Sequence, residues 1–145
     1  QASHWKSSIT GFKHAIKATD KKYPGFSVVH NNLGKALFER KNVEAISHFK
    51  MAIKLKPDLA RAYNNLGLAL FTERRNEEAI THYKMAIKLK PDFAPAYYNL
   101  GNVLLIKGNT SKAISNYRMA IKINPDYSDA QRRLKEALLQ LNEHE

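Results

Sequence analysis

Apolar side chains recur along this chain in two sets per unit of 34 residues. Between Arg61 and Phe93, Tyr63, Leu66, Leu70 and Phe71 fall at the three- and four-residue spacing of one helix face; after the polar run TERRNEE, Ala79, Ile80, Tyr83, Ala86 and Ile87 form a second set. Each unit therefore predicts two amphipathic helices. Three segments share the pattern almost letter for letter: VVHNNLGKALFERKNVEAISHFKMAIKLKPDL, RAYNNLGLALFTERRNEEAITHYKMAIKLKPDF and PAYYNLGNVLLIKGNTSKAISNYRMAIKINPDY. Pro57, Pro91 and Pro125 are spaced 34 apart, as are Ala45, Ala79 and Ala113. A fixed period of that length predicts stacked units that bury their apolar faces against one another.

Small residues are expected to set the packing distances. Gly67 and Ala79 lack bulk where paired helices would touch, and Ala86 leaves room for the next unit. Pro91 cannot continue a second helix, and Asp92 is placed to accept from the free N–H groups of the helix that follows. Pro57-Asp58 and Pro125-Asp126 repeat that punctuation.

The residues follow the pattern W-x2-L-G-x2-Y, then A-x3-F, A and P, and so the chain resembles the tetratricopeptide repeat (TPR) family. The matching residues are Tyr63, Leu66, Gly67, Leu70, Ala79, Tyr83, Ala86 and Pro91 in one unit, and Tyr97, Leu100, Gly101, Leu104, Ala113, Tyr117, Ala120 and Pro125 in the next. The first unit departs twice: His30 stands where the large aromatic belongs, and Leu33 lies 33 residues before Leu66, so one residue is missing near Arg40–Asn42. The resemblance implies an all-α fold, an α-solenoid coiled into a right-handed superhelix. One domain over 1–145 divides into a half repeat and loop (1–26), full repeats at 27–59, 60–93 and 94–127, and a capping helix (128–145) whose outward positions carry Gln131, Arg132, Lys135 and Gln140.

The half repeat is the irregular part. ITGFKHAIKA aligns with AISHFKMAIKL, making residues 3–19 a second helix without its first, followed by about four extra residues within TDKKYPGF. Its apolar positions Trp5, Ile9, Phe12 and Ile16 would normally be shared with the missing helix, so self-association through this end is expected. A start at Gln1 with half a repeat leads to the expectation of a soluble segment cut from something longer, its compartment unassigned.

Composition removes several classes of function. Cysteine is absent, which excludes disulfides and thiol chemistry. No apolar run approaches the roughly 20 residues of a membrane span, and no signal-peptide pattern is present. Histidines are scattered: only His48 and His82 share a position, roughly 9 Å apart at ordinary helix spacing, too far for one metal. Glu77 and Glu78 suit the first turn of a helix through its dipole. Met51, Met85 and Met119, at one equivalent position, are expected to pack between helices. With no nucleophile turn and no phosphate-cradling glycine loop, the chain reads as non-enzymatic, with neither cofactor nor metal.

Charge adds one feature. Lys and Arg number 24 against 13 Asp and Glu, a net charge of +11. Eight cations occupy two equivalent positions of the second helices: Lys13 and Lys17, Lys50 and Lys54, Lys84 and Lys88, Arg118 and Lys122. Stacked, they would form a basic convex ridge, and two readings stay open: a solvated face copied by duplication, or a docking surface for an anionic membrane. Nucleic acid is not the expected partner.

Binding is expected in the concave groove, which the first helices line in this family. Asn32, Asn65 and Asn99, just before each Leu-Gly pair, would face it, beside Asn31, Asn64 and Tyr98; Lys35, Arg61 and Asn102 complete the candidate surface. An amide offers both a donor and an acceptor, and so can pair with a peptide backbone regardless of its side chains. These asparagines resemble the ladder in the repeat domain of O-GlcNAc transferases; Arg133 would end it. Asparagine there could equally satisfy a neighbouring carbonyl inside the solenoid. The carboxylate clamp of chaperone-binding members does not fit, since Asn31 and Lys35 stand in reversed order and Pro95 and Asn99 replace the cations. HWKSSITGFKHAIKAT followed by VVHNNLGKAL is similar to the junction after the last membrane span in O-mannosyltransferase-type glycosyltransferases. The expected function is a scaffold for an extended peptide or protein partner, with two alternatives: an accessory region of such a membrane enzyme that recruits acceptor proteins, or a basic-surface adaptor for anionic membrane or nucleic acid.

Overall fold

The computed structural model describes residues 2–18, 25–41 and 43–142, with side chains from Ser7 on. Among the described residues eight helices run in order: α1 (Ala2–Ala18), α2 (Phe26–Glu39), α3 (Glu44–Leu55), α4 (Ala60–Thr72), α5 (Asn76–Leu89), α6 (Ala94–Ile106), α7 (Thr110–Ile123) and α8 (Ser128–Asn142). No strand occurs among the described residues, and the fold is an all-α solenoid. The pairs α2/α3, α4/α5 and α6/α7 are the three units; α1 packs on α2, and α8 on α7. The extra residues expected between α1 and α2, and the Trp5 side chain, lie outside the described residues.

Curvature follows from which helices touch across units. The first helices meet directly, α2 with α4 and α4 with α6, while successive second helices make no comparable contact among the described residues. The stack therefore bends with α2, α4 and α6 on its inner side.

Within each unit the spacing is set by a ring lying on a glycine. A Cβ added at Gly34 would stand 2.7 Å from the Phe49 ring, at Gly67 2.7 Å from Tyr83 and at Gly101 2.6 Å from Tyr117. All three rings are fully buried. In α8 the equivalent position is Lys135, which is exposed, so α8 offers no such contact.

The turn between α2 and α3 shows where the missing residue falls. Lys41, Arg74 and Gly108 hold the left-handed conformation that ends each first helix, with φ of 54°, 61° and 77°. Lys41 and Arg74 keep the 33-residue offset of Leu33 and Leu66, whereas Ala45 and Ala79 keep 34. The deletion therefore lies between Lys41 and Glu44, and α3 has 12 residues against 14 in α5 and α7.

Two expectations are corrected. Asp58 and Asp92 do not cap the helices that follow: α4 and α6 begin at Leu59 and Phe93 without a side-chain cap bond, and the chain is turned by backbone bonds such as Leu59 N to the Lys56 carbonyl. Nor are the three methionines interior. Met51, Met85 and Met119 are 39%, 36% and 39% exposed, because the position sits one residue past the outward cation, beyond the buried face of its helix.

His30, in place of the aromatic, makes a contact the sequence reading missed. Its Nδ1 lies 2.8 Å from Nδ1 of His48 and the rings stack at 5.0 Å, the counterpart of the Tyr63–His82 contact at 6.0 Å. Such a bond needs one nitrogen to donate and the other to accept, so both rings cannot be protonated. Burial, then the neighbouring His48, holds His30 below its ordinary value; burial also lowers His48, opposed by Glu44 and reinforced by Lys13. The folded chain thus refuses protons that the unfolded chain accepts near pH ~6.5, and stability falls as pH drops through that value. The double variant His30→Tyr/His48→Asn copies the Tyr97 and Asn116 of the third unit. Its melting temperature should fall less than that of the parent between about pH 7.5 and about pH 5; parallel pH profiles would contradict this assignment.

Two equivalent tyrosines differ in their hydroxyls. Tyr117 donates to Oδ1 of Asn102 at 2.8 Å, whereas the buried hydroxyl of Tyr83 has no partner, because Leu68 occupies the position of Asn102. Tyr83→Phe, which copies Phe49, should leave the melting temperature equal or higher. Tyr117→Phe should cost about 1 kcal/mol. Thermal denaturation of the two variants side by side tests the difference.

Candidate functional site: the concave groove and the basic ridge

The asparagines of the inner helices bond across units. Asn65 Nδ2 donates to Asn31 Oδ1 at 3.0 Å, and Asn99 Nδ2 donates to Asn64 Oδ1 at 3.0 Å. Asn31 and Asn64 are buried, and an amide there needs a partner. Asn65 and Asn99, half-buried, provide it, and their Oδ1 atoms and one N–H each have no partner among the described residues. Asn32 is exposed at the first position of the series. One N–H of Asn65 and of Asn99 is thus spent on a neighbouring carbonyl oxygen inside the solenoid, the alternative the sequence left open; that the partners are Asn31 and Asn64 of the unit before was not legible, and the doubled Asn-Asn at 31–32 and 64–65 was its only trace.

The other groove candidates separate into two places. Asn31, Asn32 and Arg61 line one concave cleft of about 420 Å³ together with Val28, Leu89 and Phe93. Lys35 is exposed one turn further along α2 and does not line that cleft. Tyr98 and Asn102 belong to an aromatic end: Tyr98 lies 6.1 Å from the Tyr117 ring and 5.1 Å from Tyr127, whose hydroxyl burial pushes up to about 12. Asn102 is occupied by Tyr117. Arg133, next in the ladder series, binds Glu136 at 3.2 Å and leaves its buried Nε without a partner.

On the outer side, all eight ridge cations are exposed. Their neutralisation is uneven. Lys13 meets Glu44 at 3.8 Å, and Lys50 acts on Glu78, which Arg75 binds with two bonds of 2.7 and 2.8 Å that hold it below the usual carboxylate range. One unit further the equivalent of Glu78 is Lys112, and among the described residues Lys13 is the only one of the eight ridge cations in an ion pair. From Ala79 to Pro125 the only acid is Asp92, against seven Lys and Arg. No described helix is long and apolar enough to cross a membrane, and no cluster of three potential metal ligands occurs among the described residues.

Comparison with known proteins places these features in a family. Models described as TPR repeat match residues 41–73 and 75–108, and models described as tetratricopeptide repeat match 59–90 and 94–127. A comparison with curated proteins found no match. Among solved structures, one titled MamA protein is similar at 29% identity over 94% of this chain and 73% of its own, with a TM-score of 0.78. YrrB, described as a TPR protein with an unusual peptide-binding site, is similar at 24% identity over 92% of this chain and 68% of its own, TM-score 0.77. The first TPR of Spaghetti (RPAP3), bound to the HSP90 peptide SRMEEVD, is similar at 20% identity over 80% and 93%, TM-score 0.77. With repeat models matching between residues 41 and 127 and the matching solenoid geometry, the chain belongs to the tetratricopeptide repeat family.

Proposed function

We propose that this chain is a protein-interaction scaffold that holds an extended peptide in its concave groove through the amides of Asn32, Asn65 and Asn99. The observation that carries this reading is the cross-unit bonding of Asn65 and Asn99. Each is fixed by donating to the unit before it, so its free carbonyl oxygen is held in place before a ligand arrives, and less side-chain entropy is lost on binding. First helices packed roughly 9 Å apart present one such amide for about every three residues of an extended strand, which rises about 3.3 Å per residue. The solved relatives that carry or are described with peptide-binding sites support the same reading.

Peptides selected by display against the folded domain should lose about 1 kcal/mol of affinity for each amide removed in Asn65→Ala/Asn99→Ala. The same variant breaks the bonds to Asn31 and Asn64, so its thermal unfolding must be recorded beside its titration. Undiminished affinity in a folded double variant would show that the amides do not hold the peptide.

A second reading, weak docking of the convex face on anionic membrane, is favoured by the run of unpaired cations from Lys84 to Lys122. Vesicles containing acidic lipid should retain the protein at low salt and release it as salt rises, since the attraction is screened over about 10 Å at 0.1 M. Charge reversal at Lys84, Lys88 and Arg118 should abolish retention, while the same change at Lys50, already opposed by Glu78, should have little effect. Equal effects at the two ends would refute the uneven ridge.

A further inference from the structure

The junction between the first and second units holds a cleft. It measures about 540 Å³ and lies at the edge where first helices turn into second helices, away from the concave groove. Phe38, Ala45, Ile46 and Ala69 give it an apolar floor, and Glu39 and Glu73 stand at its rim with Lys41. Three residues account for its opening. Ala69 corresponds to the larger Val103, fully buried at the next junction. Glu73 corresponds to Lys107, which pairs there with Glu77 across the units, and Val43 stands in place of that Glu77. The closing ion pair is thus replaced by a carboxylate facing a valine. Val43, at the shortened start of α3, is left 82% exposed.

From this geometry we infer a second peptide site: the cleft takes an apolar side chain flanked by a lysine or arginine on a partner protein. Its volume is in the range of ligand-binding pockets, and Thr72, the one uncharged polar side chain in its lining, already donates to the Ala69 carbonyl at 2.7 Å. The rim supplies the charge complementarity. Glu39 makes no ion pair among the described residues, and Glu73 reaches Arg75 only at 3.4 Å, while Arg75 is held by two shorter bonds to Glu78. A cation beside the apolar anchor would therefore meet carboxylates that are little engaged. The site is independent of the asparagine groove, since none of the groove candidates lines it.

The neighbouring junction supplies the variant that tests this. Ala69→Val, Val43→Glu and Glu73→Lys together rebuild the closed arrangement of Val103, Glu77 and Lys107, a packing this fold already accommodates. The probe is a labelled octapeptide with a central leucine flanked by two lysines, titrated against the whole chain. A second peptide carries glutamates in place of the lysines, and a third carries serine in place of the leucine. The lysine-flanked peptide should bind the parent, at least tenfold more weakly to the closed variant, and unchanged to Asn65→Ala/Asn99→Ala, which separates this site from the groove. The other two peptides should bind at least tenfold more weakly than the first. Failure of the first peptide to bind the parent, equal binding to the closed variant, or loss of binding in the asparagine variant would each overturn the assignment. So would sedimentation showing that the parent self-associates and the closed variant does not, since the occupant would then be a second copy of the chain.

Discussion

The contact on which this structure depends is the aromatic ring of each second helix lying on the glycine of its first helix. Phe49 on Gly34, Tyr83 on Gly67 and Tyr117 on Gly101 are so close that a single methyl group would have to displace buried ring atoms. Close-packed interiors absorb such changes poorly, so the ring fixes the distance between paired helices, and that distance fixes how far a unit can lean on the next. The inner helices then meet across units while the outer helices diverge, and a concave face results. Neither the asparagine series nor the basic ridge would be a continuous surface without that constraint.

Much of this was legible because the determinants are local and repeated. Prolines, glycines and small residues at fixed spacing gave the units and the helix pairs, while the groove-facing place of Asn32, Asn65 and Asn99 was what the family resemblance implied. The sequence reading failed where the outcome depends on what lies across a unit boundary. Periodicity states that Asn31 and Asn64 are equivalent; it does not state that Asn65 reaches back to Asn31, which requires the rise between units. His30 was recognised as a substitution for an aromatic, yet its pairing with His48 becomes visible only through the contact of Tyr63 with His82. The methionines were misplaced for a simpler reason: a position one residue past an outward cation straddles the edge of the apolar stripe. Asp58 and Asp92 failed as caps because backbone bonds close the Pro-Asp turn first.

Differences between units carry more functional information than the shared pattern. Duplication makes the core residues alike, so a departure at a surface position either drifts freely or alters a surface. Replacement of Glu78 by Lys112 removes the acid that faces the ridge and leaves α7 with cations alone. Deletion of one residue after Lys41, with Val43 for Glu77 and Glu73 for Lys107, opens one junction along the turn edge. These departures give a nearly uniform stack three distinct faces.

The asparagine series places the bonds between units and the proposed peptide contacts on one set of side chains. An amide buried at Asn31 or Asn64 must find a partner or lose its hydration at a cost of about 1–3 kcal/mol. The partner comes from the next unit, so the bond holds neighbouring first helices in register as well as satisfying the buried group. Any flexing of the solenoid that lengthens the 3.0 Å contacts also moves the free carbonyl oxygens of Asn65 and Asn99. Curvature and the spacing of the groove's acceptors are therefore one variable. In the proposed groove binding, a strand of matching rise would stiffen the stack, and a stack held at a different curvature would present its amides out of step with the peptide.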